Sequence, residues 1–371
     1  MMKPSSVPAS ITLLSGSGPT DAPRFLRKIA DWCEQNNIIF DNYGSGDLVE
    51  TFEKKIASLL GFPAARFMPS GTLAQLAALK VWADESNCPH FGMHPTSHLE
   101  IHEEHAYAYL YNLRRSFVGP VKSTLLAEHI LAIDEKISAL LIELPAREIG
   151  GQLPSWDELE KIKAAAHDKQ IKLHLDGARL WETKPFYNRE YNEICAGFDS
   201  VYVSFYKGIG ALPGAMLLGS VAFIEKAKLW QRRAGGTVQT LAPQIASAAM
   251  LLDKSLSRMP AYFKRTQQIV HHLSDIKALR FFPELPQVNM VHVYLPFRAE
   301  IANKVRAEIE EQYSIKMFGN ALTSDKPEEC YFELTVGENL LGLTDLKVHL
   351  IFSYLIDNGT EYSKQQSEAG R

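Results

Sequence analysis

Apolar and polar residues alternate along this chain with two different periods, and the changes of period mark out its elements. From Asp47 to Leu60, Leu48, Phe52, Ile56 and Leu59 recur at helical spacing, and Gly61 and Pro63 stop the helix. The segment RFMPSGTLAQLAALKVW runs from a turn into a second helix, with Ser70, Gly71 and Thr72 at its amino end. Residues 138–144 (SALLIEL) are almost wholly apolar, as expected of a strand covered on both faces in a parallel sheet. Ser155 and Glu158 give the S-x-x-E capping box that opens a helix through SWDELEKIKAAAHDKQ. Period two returns at 171–176, where Ile171, Leu173 and Leu175 alternate with Lys172, His174 and Asp176, completing a strand–helix–strand unit. A further strand at 200–205 (SVYVSF) leads into the turn-rich YKGIGALPG and the apolar run AMLLG.

From Ala222 onward the pattern predicts long helices, and beyond about residue 283 short strands (VNMVHVYL, YFELTV) alternate with helices. This predicts a large α/β domain over 41–255 and a smaller α+β domain made of 1–40 and 256–371, the closing EYSKQQSEAGR fraying. The 371 residues suffice for two domains, and 46% hydrophobic with 22% charged residues is an ordinary globular balance. A net charge of -4 argues against nucleic acid or an anionic membrane as partner and favours a small molecule. Cys33, Cys88, Cys195 and Cys330 lack paired spacing and read as reduced thiols. The first residues hold too short an apolar run for a signal peptide, and no later stretch is long enough to span a bilayer, so the expected location is the cytoplasm.

Ligands of open α/β sheets bind outside the carboxyl ends of the strands, where this reading puts both Asp176 and Lys207. A lysine amine condenses with an aldehyde when its surroundings leave some of it unprotonated, and pyridoxal 5'-phosphate (PLP) supplies that aldehyde. Asp176 then suits the pyridine nitrogen, and the helix terminus at Ser70, Gly71 and Thr72 suits the phosphate. Singly, SGT reads as an ordinary helix cap and Lys207 as a surface-loop lysine; their order together points to a cofactor site. His94, His98, His102 and His105 crowd together in PTSHLEIHEEH, which also raises a metal site. Pro95 and the HEEH spacing, one residue short of H-E-x-x-H, weaken that reading, and the outer three also read as a surface cluster.

The runs PSGTLAQLAAL, HLDGARLW, DSVYVSFYKGIGALPGAML and WQRRAGGTVQT, in this order, resemble the threonine aldolase and β-eliminating lyase family of fold-type-I PLP-dependent enzymes, over roughly residues 40 to 250. The resemblance implies an aspartate aminotransferase-like fold, a three-layer α/β/α large domain with a smaller α+β domain. It implies that Lys207 forms the Schiff base, Asp176 contacts the pyridine nitrogen, and Gly71 with Thr72 holds the phosphate. It further implies that Arg179 of the DGAR run grips the substrate carboxylate and that His98 stacks on the cofactor ring, where it also suits a general base.

Several family features differ here. Of an R-S-D-T run only Ser15 carries over, and Tyr206 stands where a serine precedes the lysine. Gln239 occupies an arginine position, although Arg232 falls where a basic residue is expected. A second carboxylate-binding arginine is replaced by Phe332 or Glu333. Arg147, in the loop LPAREIGG, is the candidate substitute, against the alternative of a surface arginine paired with Glu148. Tyr206, Tyr107 and Tyr109 suggest either a pocket for a larger side chain or plain packing. The expected reaction is cleavage of a β-hydroxy amino acid to glycine and an aldehyde; the alternatives are β-elimination from an aromatic or other amino acid, giving a keto acid and ammonia, or PLP binding without turnover. The resemblance also implies a homodimer or homotetramer.

Overall fold

The computed structural model describes residues 12–16 and 21–369, the side chain of Ala369 aside. They divide into two compact units, residues 21–259 and residues 12–16 with 260–369. The segment 21–40, expected in the smaller domain, falls in the larger unit because α1 (Ala22–Gln35) packs Phe25 and Ile29 against Ala246. The other boundary, expected at 255/256, falls at 259/260.

The larger unit is built on a seven-stranded sheet of β1 (Ala64–Met68), β2 (His90–Met93), β3 (Arg114–Phe117), β4 (Ala139–Glu143), β5 (Lys172–Gly177), β6 (Ser200–Ser204) and β7 (Ala215–Gly219). The spatial order is β1-β7-β6-β5-β4-β2-β3, and β7 runs against both its neighbours while the rest are parallel. The central strands are near-continuous apolar runs because helices cover both faces. Their shared direction brings the carboxyl ends of β1, β2, β4, β5 and β6 to one edge, where the loops carry Ser70, His98, Arg147, Asp176 and Lys207.

The helices follow the periodicity closely. α2 (Asp47–Leu60) ends at Gly61, whose φ of 75° is the left-handed turn that glycine favours. α3 (Gly71–Ser86) opens with Ser70 Oγ accepting the Leu73 N–H at 3.3 Å. α4 (Trp156–Asp168) forms half of the expected capping box. Ser155 Oγ accepts from the Glu158 N–H at 3.2 Å, but the Glu158 carboxylate accepts the Ala127 N–H at 2.7 Å. α5 (Val221–Arg233) and α6 (Ala242–His272) supply the long helices expected after Ala222.

In the smaller unit an antiparallel sheet is ordered Leu322–Thr323, β10 (Cys330–Thr335), β9 (Met290–Leu295), β8 (Arg280–Phe282), with α7 (Ala299–Tyr313) and α8 (Asp345–Ala369) beside it. The tail expected to fray stays helical to Ala369, and residues 370–371 lie outside the described residues. Tyr362 pins it, donating its hydroxyl to Glu308 at 2.9 Å with Lys304 Nζ 3.4 Å from its ring centroid. Among the described residues, no helix is long and apolar enough to cross a membrane.

Trp181 binds the loop after β5 to the end of β6. Fully buried, it donates its indole N–H to the Ser204 carbonyl at 2.8 Å and stacks on Phe205, while its own carbonyl accepts the Tyr191 hydroxyl at 2.8 Å. Trp181→Ala is expected to lower the unfolding free energy by about 3–5 kcal/mol, since it opens a large cavity and strands a carbonyl. Urea denaturation checks this, and a loss below about 1 kcal/mol would contradict the anchoring role.

Candidate active site

Strand register sets the site. Glu143 of β4 aligns with Asp176 of β5, and Asp176 with Tyr202 of β6, so the three side chains form a row on one face of the sheet. α3 covers that row. Its Gln75 Nε2 donates to Asp176 Oδ2 at 2.8 Å, and the Ala178 N–H donates to Oδ1 at 3.0 Å, so this buried carboxylate is held on both oxygens. One turn earlier, Gly71 lies so close to Tyr202 that a Cβ there would sit 2.0 Å from the phenol oxygen. Glycine is therefore required by contact, and it leaves the amino-terminal backbone of α3 bare beside Tyr202.

Lys207 follows β6 by three residues, in a turn closed by the Gly210 N–H donating to its carbonyl. Burial pulls its pKa below that of a free lysine and Arg179 adds to the effect, while Asp176 and Glu143 oppose it and Arg147 adds least. Lys207, Asp176, Arg179, Glu143 and Arg147 thus act on one another at a single edge of the sheet. Glu143 is pushed up to about 7, first by burial and then by Asp176, against the Arg147 N–H that donates to it at 3.1 Å and the cations Lys207 and Arg179.

The four histidines share no partner among these contacts. His94 is buried, its Nε2 at 2.7 Å from the Pro120 carbonyl and 3.0 Å from that of Ser123, and burial lowers its pKa. His98 Nδ1 lies 3.1 Å from Glu103, His102 Nε2 2.7 Å from Glu148, and His105 Nε2 3.4 Å from Glu100. Arg147 donates to Glu148 at 2.8 Å, as the surface-pair alternative expects, yet it also lies within the field of Lys207. Tyr107 is packing: its ring meets Phe91 edge-on and its hydroxyl donates to Glu100 at 2.7 Å. Tyr109 faces solvent.

The remaining expected residues each have their own local setting. Arg232 is exposed in the last turn of α5; its neighbour Gln231 turns inward instead, donating to the carbonyls of Phe67 and Gly236. Ser15 belongs to the smaller unit, where its hydroxyl accepts the Thr335 N–H at 2.9 Å. Phe332, one of the two residues aligned with the missing arginine, is buried there against Phe318.

Four residues of this edge escaped the sequence reading. Gln75 carries a usable signal, as the one amide in the apolar stretch LAQLAAL, a turn beyond Gly71. Glu143 is likewise the lone acid closing the apolar run SALLIEL. Tyr202 and Glu103 carry none, because only the register and the fold of the loop give them their neighbours.

The layered fold is the fold-type-I architecture of PLP-dependent enzymes. Residues 14–296 match the profile of the beta-eliminating lyase family, and the chain belongs to that family. It is 38% identical to a provisionally assigned L-allo-threonine aldolase of Listeria monocytogenes, with a TM-score of 0.87 over 94% of this chain and 96% of that one. A protein of Exiguobacterium sp. 255-15, provisionally assigned as an aromatic amino acid beta-eliminating lyase/threonine aldolase, is 34% identical with a TM-score of 0.87, over 94% and 97% of the two chains. Low-specificity L-threonine aldolase 1 of Arabidopsis thaliana is 26% identical over 314 residues, 82% of this chain and 86% of that protein.

Gly71→Ala is expected to destabilise the protein by about 1–3 kcal/mol by driving a methyl into Tyr202. Gly319→Ala, where a Cβ meets nothing within 4 Å, is expected to stay within about 0.5 kcal/mol of the parent. Equal denaturation midpoints for the two variants would refute the contact argument.

Glu143 predicts a pH dependence. Its folded-state carboxyl holds a proton more tightly than the unfolded one, so its contribution to stability is present below about pH 4.3 and is lost as pH rises through about 7. Cofactor-free Glu143→Gln lacks that loss. Its stability relative to the parent should rise across this window and level off above it, and denaturation at several pH values showing a flat difference would contradict the assignment.

Proposed function

We propose that this chain is a PLP-dependent lyase that cleaves the Cα–Cβ bond of a β-hydroxy amino acid such as threonine, giving glycine and an aldehyde. The observation that carries the reading is the meeting, at one sheet edge, of a depressed-pKa lysine, a buried carboxylate and a bared helix amino terminus. These residues fit the cofactor. The Lys207 amine suits its aldehyde, the Asp176 carboxylate suits its ring nitrogen, and the backbone amides of Gly71 and Thr72 with the Ser70 hydroxyl suit its phosphate. When bound, PLP supplies a protonated ring that takes up the electron pair of a bond broken at the substrate's α-carbon.

The chain's own residues do the rest. Gln75 and the Ala178 N–H hold Asp176 in place through both oxygens. Arg179 favours an uncharged Lys207 and offers its guanidinium to the substrate carboxylate. Arg147, braced on Glu148, is the second cation for that carboxylate, in place of the family arginine missing at 332–333. His98 receives the β-hydroxyl proton as the Cα–Cβ bond breaks.

The name of the Exiguobacterium protein and the neutral tendency of Lys207 favour one second reading: Lys207 Nζ removes the α-proton and a β-substituent leaves. Self-association as a homodimer or homotetramer in the cytoplasm belongs to the proposal. Ile39, Phe40 and Tyr43, exposed at 84%, 72% and 55% between α1 and α2, support the self-association.

Incubation of the PLP-loaded protein with L-threonine, L-allo-threonine and an aromatic amino acid separates the readings. Acetaldehyde with glycine is the expected product pair; keto acid with ammonia would establish elimination, and silence on every substrate would overturn both. Lys207→Ala is expected to lose at least about 100-fold in kcat and to lose the yellow absorbance that borohydride fixes onto the chain; retention of that absorbance would move the anchor elsewhere.

A further inference from the structure

The chain bends sharply after the short helix His98–Ile101. Glu104 and His105 both adopt left-handed backbone, at φ 48° and 55°, a conformation that side chains other than glycine resist by roughly 1–2 kcal/mol each. Just before these two residues, Glu103 faces His98, with Oε1 3.1 Å from Nδ1. The Glu103 side chain is 4% exposed, whereas the carboxylates that meet His102 and His105 are each 15% exposed. Its second oxygen, Oε2, is buried without a hydrogen-bond partner. A carboxylate enclosed with a single contact is expensive to keep, which makes the one contact it does form informative.

A carboxylate in its ionised form accepts hydrogen bonds and donates none, so the His98 tautomer that completes the contact is the one with its proton on Nδ1. The other ring nitrogen, Nε2, is then left with a lone pair. Glu103 also belongs to the edge where Lys207 sits, since it is among the smaller influences that, after burial, keep the phenols of Tyr202 and Tyr206 protonated. We infer that Glu103 is a positioning residue that fixes the Nδ1–H tautomer of His98 and thereby presents Nε2 as the acceptor of the substrate's β-hydroxyl proton. The inference rests on the reading of His98 as the base, and it adds what makes the base competent: one proton leaves the hydroxyl oxygen, arrives on Nε2, and Glu103 faces the resulting imidazolium from the far side.

Two measurements on the PLP-loaded protein test this. Glu103→Gln keeps the shape but offers an amide N–H to Nδ1, which favours the opposite tautomer. Its kcat for threonine cleavage is expected to fall at least about 10-fold with KM changed less than about threefold, and Glu103→Asp to recover part of the loss. Long-range nitrogen–proton NMR of histidine-labelled protein, with the His98 signal assigned by its disappearance in His98→Asn, reads the tautomer directly. The expected result is Nδ1–H in the parent and Nε2–H in Glu103→Gln. An Nε2–H tautomer in the parent, or Glu103→Gln with parental tautomer and kcat, overturns the inference. The NMR arm needs no substrate: if the parent cleaves no β-hydroxy amino acid yet shows the tautomer reversal, the positioning role stands and the functional reading fails.

Discussion

Enclosing a carboxyl group at the end of a central strand is the constraint on which this architecture turns. Asp176 is almost fully enclosed, and an enclosed carboxylate persists only where donors or cations surround it. Gln75 reaches down from α3, the backbone turns to offer the Ala178 N–H, and Arg179 and Lys207 gather nearby. The same demand explains Glu143. A second carboxylate in the neighbouring register position cannot be charged on equal terms, so it tends to keep its proton and leaves the available cations to Asp176.

Much of this was legible in the sequence, and what was legible depended on local signals. The strand ends at Asp176 and before Lys207, and the start of α3 at Ser70, follow from period, turn residues and capping chemistry. A parallel sheet then brings strand ends together, so three segments spread over 137 residues of chain, from 70 to 207, converge without any need to know strand order. Register was not legible. It is fixed by packing across strands, which is why Tyr202 beneath Gly71 and Glu143 beside Asp176 emerged only from the structure. The placement of 21–40 failed for a related reason: α1 finds its apolar partner at Ala246, more than two hundred residues later. The tail failed because its composition is polar while its anchor, Tyr362 on Glu308, is tertiary.

Membership of the beta-eliminating lyase family accounts for the shared frame. At the terminus proposed to hold the phosphate, Ser70, Gly71 and Thr72 keep the small residues that the resemblance expects. On the proposed reading, Tyr206 stands where the resemblance expects a serine, and the loop after β4 carries a guanidinium in place of the arginine expected at 332–333. Moving a cation to another loop preserves the charge that a carboxylate meets while changing the direction from which it is met, and direction governs which side chains fit beside it.

The packing of α3 on Tyr202 has an evolutionary corollary. Position 71 has no room for even a methyl while a phenol stands beneath it, so it is not free to gain bulk alone. Among homologues, a larger residue at 71 would be inherited together with a smaller one at 202, and this paired substitution would trace lineages in which the helix terminus had been raised off the sheet.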